Sequence, residues 1–216
     1  MTIFSDRRDA GRRLGERLEH LRTARPVVLG LPRGGVVVAD AIADALDAPL
    51  DVVVVRKVGV PGHLELAMGA VGEAGIRVVN DDVLAQACVS AERFGRAADN
   101  ERSELERRTT AYRQARPLAD LTAKTVIVVD DGIATGATAR AALQVVRAHD
   151  PQRVILAVPV APPSTLRQLA SLTDEIVAIE VPEEMRAVGE FYRHFDQTTD
   201  AEVVELLAAR QQRRGR

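Results

Sequence analysis

Apolar residues recur along the chain with two different periods, and the alternation between them lays out the fold. Over residues 6–22, Ala10, Leu14, Leu18 and Leu21 fall three and four apart, the stripe of a helix that buries one face. Its charged side, with Arg7, Arg8, Arg12 and Arg13, is expected to face solvent. Residues 26–31 form a short apolar run stopped by Pro32-Arg-Gly-Gly35, and residues 36–46 return to helical spacing. Further runs rich in Val and Ile lie at 50–55, 126–129, 153–160 and 175–180. Their continuity is that of strands covered on both faces. Helical stretches follow at 139–146 and from Ser164 or Thr165, either of which can cap, to Leu172. Strands alternating with helices predict an α/β fold, a mostly parallel sheet flanked by helices on both faces.

Two regions depart from that rhythm. Short strands at 67–71 and 76–79 flank Gly72-Glu-Ala-Gly75, a hairpin signal, and Asp81 or Asp82 can cap the helix that follows. On that helix Val83, Leu84, Ala87, Cys88 and Ala91 share a face, which makes Cys88 a packing residue. From 90 to 116 the pattern turns strongly charged, with Glu104 spaced to pair with Arg107 and Arg108. We read 81–118 as a helical insertion within one domain spanning 1–216, its outer face solvated or used in a homodimer. The second region, 181–199, is irregular and holds Phe191, Tyr192 and Phe195 beside Gly189. A last helix is expected over 200–209, with 211–216 fraying.

Composition narrows the class. With 29 Lys and Arg against 31 Asp and Glu, the formal charge of −2 carries no general attraction to nucleic acid. The single cysteine excludes an internal disulfide and fits a reducing compartment. Asp6-Arg-Arg-Asp9 is no secretory signal, and no apolar run approaches a membrane span, so a soluble, cytoplasmic protein is expected.

The chemistry concentrates at strand ends. Val126 to Val129 run into Asp130 and Asp131, then a small-residue turn through Gly136 to Thr138, then a helix. Free N–H groups and the positive end of a helix dipole suit a phosphate, Gly136 lets the backbone approach, and the hydroxyls of Thr135 and Thr138 add donors. Two carboxylates at the strand end can accept hydrogen bonds from ribose hydroxyls. A P-loop would need Lys beside the second Gly, and the dinucleotide G-x-G-x-x-G is missing as well. At the end of the first strand the glycine turn carries Arg33, able to give two parallel N–H bonds to a pyrophosphate. After the strand at 50–55 come Arg56 and Lys57 and then the breaker-rich stretch 58–65, which reads as a mobile lid bringing charge to a phosphate. His63 within it reads as a solvated loop residue.

Val128-Val-Asp-Asp-Gly-Ile-Ala-Thr-Gly-Ala-Thr138 closely resembles the phosphoribosyl-pyrophosphate (PRPP) signature of type I phosphoribosyltransferases. The resemblance extends, with less specific motifs, over roughly residues 27–195. It implies that Asp130 and Asp131 hold the ribose 2′- and 3′-hydroxyls and that Ala134, Thr135, Gly136, Ala137 and Thr138 cradle the 5′-phosphate. It makes Arg33-Gly34-Gly35 the pyrophosphate loop. Arg56-Lys-Val-Gly-Val-Pro-Gly62 is similar to a run in adenine- and xanthine-type enzymes, which implies that Lys57, and with it Arg56, contacts pyrophosphate. Glu65 is the best match to a glutamate that acts near the base, although its spacing to Gly69 differs. The segment 181–199 would form the hood over the acceptor, with Phe191 and Tyr192 as its flat wall. Hypoxanthine and guanine enzymes have a third Asp where Ala134 stands, so a neutral aminated heterocycle is the better expected acceptor. The implied reaction is Mg²⁺-dependent displacement of pyrophosphate from PRPP by a nitrogen acceptor, with Mg²⁺ touching Asp130 and Asp131 only through PRPP. The alternatives are a PRPP- or nucleotide-sensing regulator, disfavoured by the lack of a helix-turn-helix or basic stripe, and a hydrolase or phosphorylase of ribose phosphates.

Overall fold

The structure is a computed structural model that describes residues 3–113 and 117–214. Five parallel strands form the central sheet: β1 (Val27–Gly30), β2 (Leu50–Val52), β6 (Thr125–Val129), β7 (Arg153–Val160) and β8 (Glu175–Glu180). They lie in the order β2-β1-β6-β7-β8. Their side chains sort by period two into the two halves of the core. Val28, Ile127, Val129 and Ile155 meet α1 (Arg7–Arg17), α2 (Gly34–Ala45) and α7 (Asp200–Arg214). Val27, Leu29, Val126, Val128 and Leu156 meet α5 (Ala137–Arg147) and α6 (Pro163–Leu169). Burial on both faces is why β1, β6 and β7 read as continuous apolar runs.

A second, antiparallel sheet is built from β3 (Val55–Val60), β4 (His63–Gly72) and β5 (Arg77–Val79), in that order. It touches α5 on one side and the long helix α4 (Ala91–Arg113) on the other; α3 (Asp81–Gln86) joins β5 to α4. In the central sheet β1 lies between β2 and β6. The chain therefore leaves β1 toward one neighbour and returns on the other side. That reversal opens a crevice at the carboxyl ends of β1 and β6, where open α/β sheets bind ligands.

Several sequence expectations are corrected. The apolar run at 50–55 is not one strand: it ends at Val52, and Val55 starts the second sheet. The stretch 58–65, where no strand was expected, lies at the turn of a hairpin, with β3 and β4 paired from Val55–Gly72 to Val60–His63 around Pro61-Gly62. The first helix stops at Arg17, and Glu19–Ala24 continues as a 3₁₀ segment. Asn80, not Asp81 or Asp82, precedes α3 as its cap residue, and neither Ser164 nor Thr165 caps α6, which Pro162 precedes. Cys88 is exposed in a left-handed conformation (φ 51°), past the end of α3, because the helix that would have turned it inward has already ended. The terminal helix runs on through 210–214, with Arg210 buried against Asp44 and the carbonyl of Ala43. Among the described residues no helix is long and apolar enough to cross a membrane.

Candidate active site

β6 delivers Asp130 and Asp131 to the crevice. The Asp131 N–H donates to Asp130 Oδ1 (2.9 Å), which orients the first carboxylate. Asp131 Oδ2 accepts from Arg7 Nε at 2.7 Å, and Arg7 Nη1 donates to the Asp196 carbonyl, also at 2.7 Å. The guanidinium lies 3.9 Å over the Phe195 ring, in cation–π range. Burial raises the Asp130 carboxyl well above the ordinary carboxylate value, and the neighbouring Asp131 charge adds to it. Burial raises Asp131 too, outweighing the opposing pull of Arg7. The site thus concentrates acceptor oxygens in a poorly solvated position, where a hydroxyl-bearing ligand would relieve them.

The β1–α2 turn closes over this pair. Leu31 N–H donates to the Val129 carbonyl at 2.8 Å, and the Pro32–Arg33 peptide is cis. A Cβ on Gly34 would overlap Asp131 Oδ2, and one on Gly35 would sit 2.7 Å from the Val129 carbonyl oxygen. Only glycine lets the expected pyrophosphate turn and the acid pair share this space. Arg33 stands exposed at its tip.

On the other side of β6, residues 134–138 lead into α5. Gly136 takes φ 77° at its N-cap, a conformation that glycine adopts without strain. Ala134, Thr135 and Thr138 are exposed, with Ala137 half-buried. Thr165, expected as a helix cap, is buried here and donates its hydroxyl to the Ala134 carbonyl (2.7 Å), bracing the loop from behind. The α5 N-terminus therefore faces the same edge as the acids, as a phosphate cradle needs.

Arg56 and Lys57 arrive on β3. Arg56 pairs with Glu101 of α4 at 2.7 Å, and Lys57 is half-buried. A cavity of about 210 Å³ is lined by Pro32, Arg56, Lys57, Thr138 and Arg108 of α4, among others. It joins the first turn, the cations at the start of β3 and the loop after β6. The side chain of Glu65 lies outside the described residues. Tyr192 does not form the open acceptor wall expected of it: it is buried, stacked between Phe4 and Phe195, and its hydroxyl donates to the Asp131 carbonyl at 2.6 Å. Burial and the Asp131 charge push its phenol far above the usual range, so it stays a donor. Phe191 is half-buried beside it in the same aromatic cluster. This tail therefore clamps the acid pair through Phe195, Arg7 and Tyr192.

Two residues escaped the sequence reading. Arg7 sat among four arginines of an amphipathic helix, with nothing to mark it. Arg108 carried a weak signal: Phe94, Ala98, Glu101, Leu105, Arg108 and Tyr112 fall three and four apart, so the arginine occupies the inward stripe of α4.

A parallel α/β sheet thus brings an acid pair, a glycine turn and a threonine-bearing helix N-terminus together at its switch point. The model of the phosphoribosyl transferase domain matches residues 7–188, and the chain belongs to that family. Proteins of two Mycobacterium tuberculosis strains, provisionally named phosphoribosyl transferases, are 50% identical over 207 residues, 96% of this chain. The chain spans 47% of the length of these relatives. The crystal structure of TT1426 from Thermus thermophilus is 46% identical, covers 96% of this chain and 99% of its own, and superposes with a TM-score of 0.91.

Proposed function

We propose that this protein is an enzyme that transfers the 5-phosphoribosyl group of PRPP to a nitrogen acceptor. The observation that supports it best is the close approach of the β1–α2 turn to Asp130 and Asp131, beside a cavity that Pro32 of that turn shares with Lys57 at the start of β3 and Thr138 after β6. Asp130 and Asp131 accept the ribose hydroxyls, residues 134–138 hold the 5′-phosphate, and Arg33, Gly34, Gly35 and Lys57 receive the pyrophosphate. The acceptor nitrogen bonds to C1′ as the C1′–O bond to pyrophosphate breaks, and the acceptor then releases its proton. Positioning and stabilisation of the departing charge supply most of the catalysis.

No three His, Cys, Asp or Glu side chains among the described residues cluster closely enough to hold a metal ion. An acid pair alone still fits Mg²⁺, which keeps waters and takes oxygens from substrate phosphates. Bound in that way through PRPP, Mg²⁺ would supply charge neutralisation on the pyrophosphate. The test is pyrophosphate release from PRPP with magnesium across a panel of bases and amines. Release with one or more acceptors is expected, and its absence across the panel together with no PRPP binding would defeat the reading.

A further inference from the structure

The cavity between the first turn and the phosphate loop contains a charge that none of the loop motifs supplies. Arg108 reaches it from α4, a helix that lies outside the central sheet. Its neighbours on the helix show how unusual its position is. Arg107 points outward at 60% side-chain exposure and Arg102 at 61%, whereas Arg108 is at 37% and sits in the stripe with buried Leu105 and Tyr112. An arginine on an inward stripe loses hydration, and the loss is recovered only where an anion meets it.

Glu104 is not that anion in full. It accepts from Arg108 Nε at 2.7 Å, and it also takes Nε and Nη2 of Arg107 at 2.7 and 2.9 Å. One carboxylate is thus shared between two guanidiniums, and it holds Arg108 by a single nitrogen. The remaining N–H groups of Arg108 have no other partner among the described residues. A guanidinium fixed by Nε and carrying two unused Nη groups is prepared for a second, bidentate anion.

The helix that carries it is held firmly. Arg56 pairs with Glu101 on one side of Arg108, and on the other Arg113 binds Glu73, Asp51 (2.9 Å) and the Val52 carbonyl (2.7 Å). Tyr112 donates to Asp200 of α7 at 2.6 Å.

We propose that Arg108 of α4 is a pyrophosphate-binding residue, completing with Lys57 and the Pro32–Arg33 turn the subsite for the leaving group of PRPP. This rests on the reading of the protein as a phosphoribosyltransferase. It assigns α4 a part in the site: the helix walls the cavity and brings a bidentate donor to the oxygens on which charge develops.

Calorimetric titration of wild type, Arg108→Gln, Arg108→Lys and Arg107→Ala, with magnesium, separates this assignment from the reading it rests on. The ligands are PRPP, inorganic pyrophosphate and ribose 5-phosphate, which lacks the pyrophosphate. Arg108→Gln is expected to weaken PRPP and pyrophosphate by about tenfold or more, the loss of a charge-assisted pair, and to leave ribose 5-phosphate within about twofold. Arg108→Lys should recover part of the loss, and Arg107→Ala should bind like wild type. Arg108 is partly exposed and its aliphatic stem is matched in part by glutamine, so the glutamine variant should keep the wild-type circular dichroism spectrum. Wild-type binding of PRPP with Arg108→Gln unchanged, or an equal loss for ribose 5-phosphate, would overturn the assignment alone. A wild-type protein that binds neither PRPP nor pyrophosphate would overturn the phosphoribosyltransferase reading and the assignment with it.

Discussion

Asp130, which our proposal sets against the ribose hydroxyls, stands against the stability of the fold. Its carboxyl is buried beside a second carboxyl, so it titrates above the ordinary value in the folded state. The folded protein then holds a proton that the unfolded chain has already released. Stability should fall as pH rises from the ordinary carboxyl range through the raised value, and level off above it. Asp130→Asn keeps the oxygen that accepts from Asp131 N–H and removes the charge. It is expected to raise the melting temperature near neutral pH by ~2–4 °C, about 1 kcal/mol, and to flatten the pH dependence. The double variant Asp130→Asn, Asp131→Asn should lose PRPP binding. Calorimetric PRPP affinity within about threefold of wild type would remove the ribose assignment. Arg7 is the converse case: at 11% side-chain exposure it compensates Asp131 and is itself held by Phe195. Arg7→Ala leaves that carboxylate buried and uncompensated. A loss of ~2–3 kcal/mol in denaturant unfolding is expected, with weaker PRPP binding. Wild-type values for both would mean that the pair is incidental.

At the scale of elements, α4 is the piece whose role changed most between sequence and structure. A stretch dense in Arg and Glu reads as a solvated helix, and its outer face is one, with exposed pairs such as Arg102–Glu106 worth little. Its inward stripe is fastened to both sheets. Arg113, 5% exposed, bridges Glu73 of the β4–β5 turn and Asp51 of β2, and so ties the second sheet to the first. Removing one member of a buried ionic cluster leaves the others without compensation. Arg113→Ala is therefore expected to cost ~3–5 kcal/mol, read as a lower denaturant midpoint; a loss below about 1 kcal/mol would show that α4 is held by its apolar contacts alone.

At the scale of the molecule, our proposal extends to the acceptor. In our proposal Ala134 lacks the base-facing carboxylate that would serve a 6-oxopurine, and Tyr192 donates to the Asp131 carbonyl. Phe191 remains the candidate for the flat wall in our proposal. Hypoxanthine and guanine are expected to be poor acceptors and a neutral aminated heterocycle a better one, since a hydrogen-bonding site mismatched to its ring loses orders of magnitude in specificity. Initial rates of nucleotide formation decide it, and faster conversion of hypoxanthine than of adenine would reverse the expectation.

The sequence by itself determined the sheet and the places where ligand loops leave it. Runs such as 153–160 and 175–180 match β7 and β8 residue for residue, because each is a continuous apolar stretch bounded by a charged residue at one or both ends. The loops at 33–35 and 130–138 were legible because glycine, paired acids and threonine at fixed spacing are local chemistry. The run at 50–55 was misread, since hydrophobicity marks burial but not which sheet a residue joins. Arg7 and Arg108 were decided only by the tertiary structure. Each is one arginine among several on a helix, and what distinguishes it is a partner or cavity brought near by packing: Asp131 lies 124 positions from Arg7. A pattern of local spacings records which face of a helix turns inward, while the group it meets there depends on contacts distant in the chain.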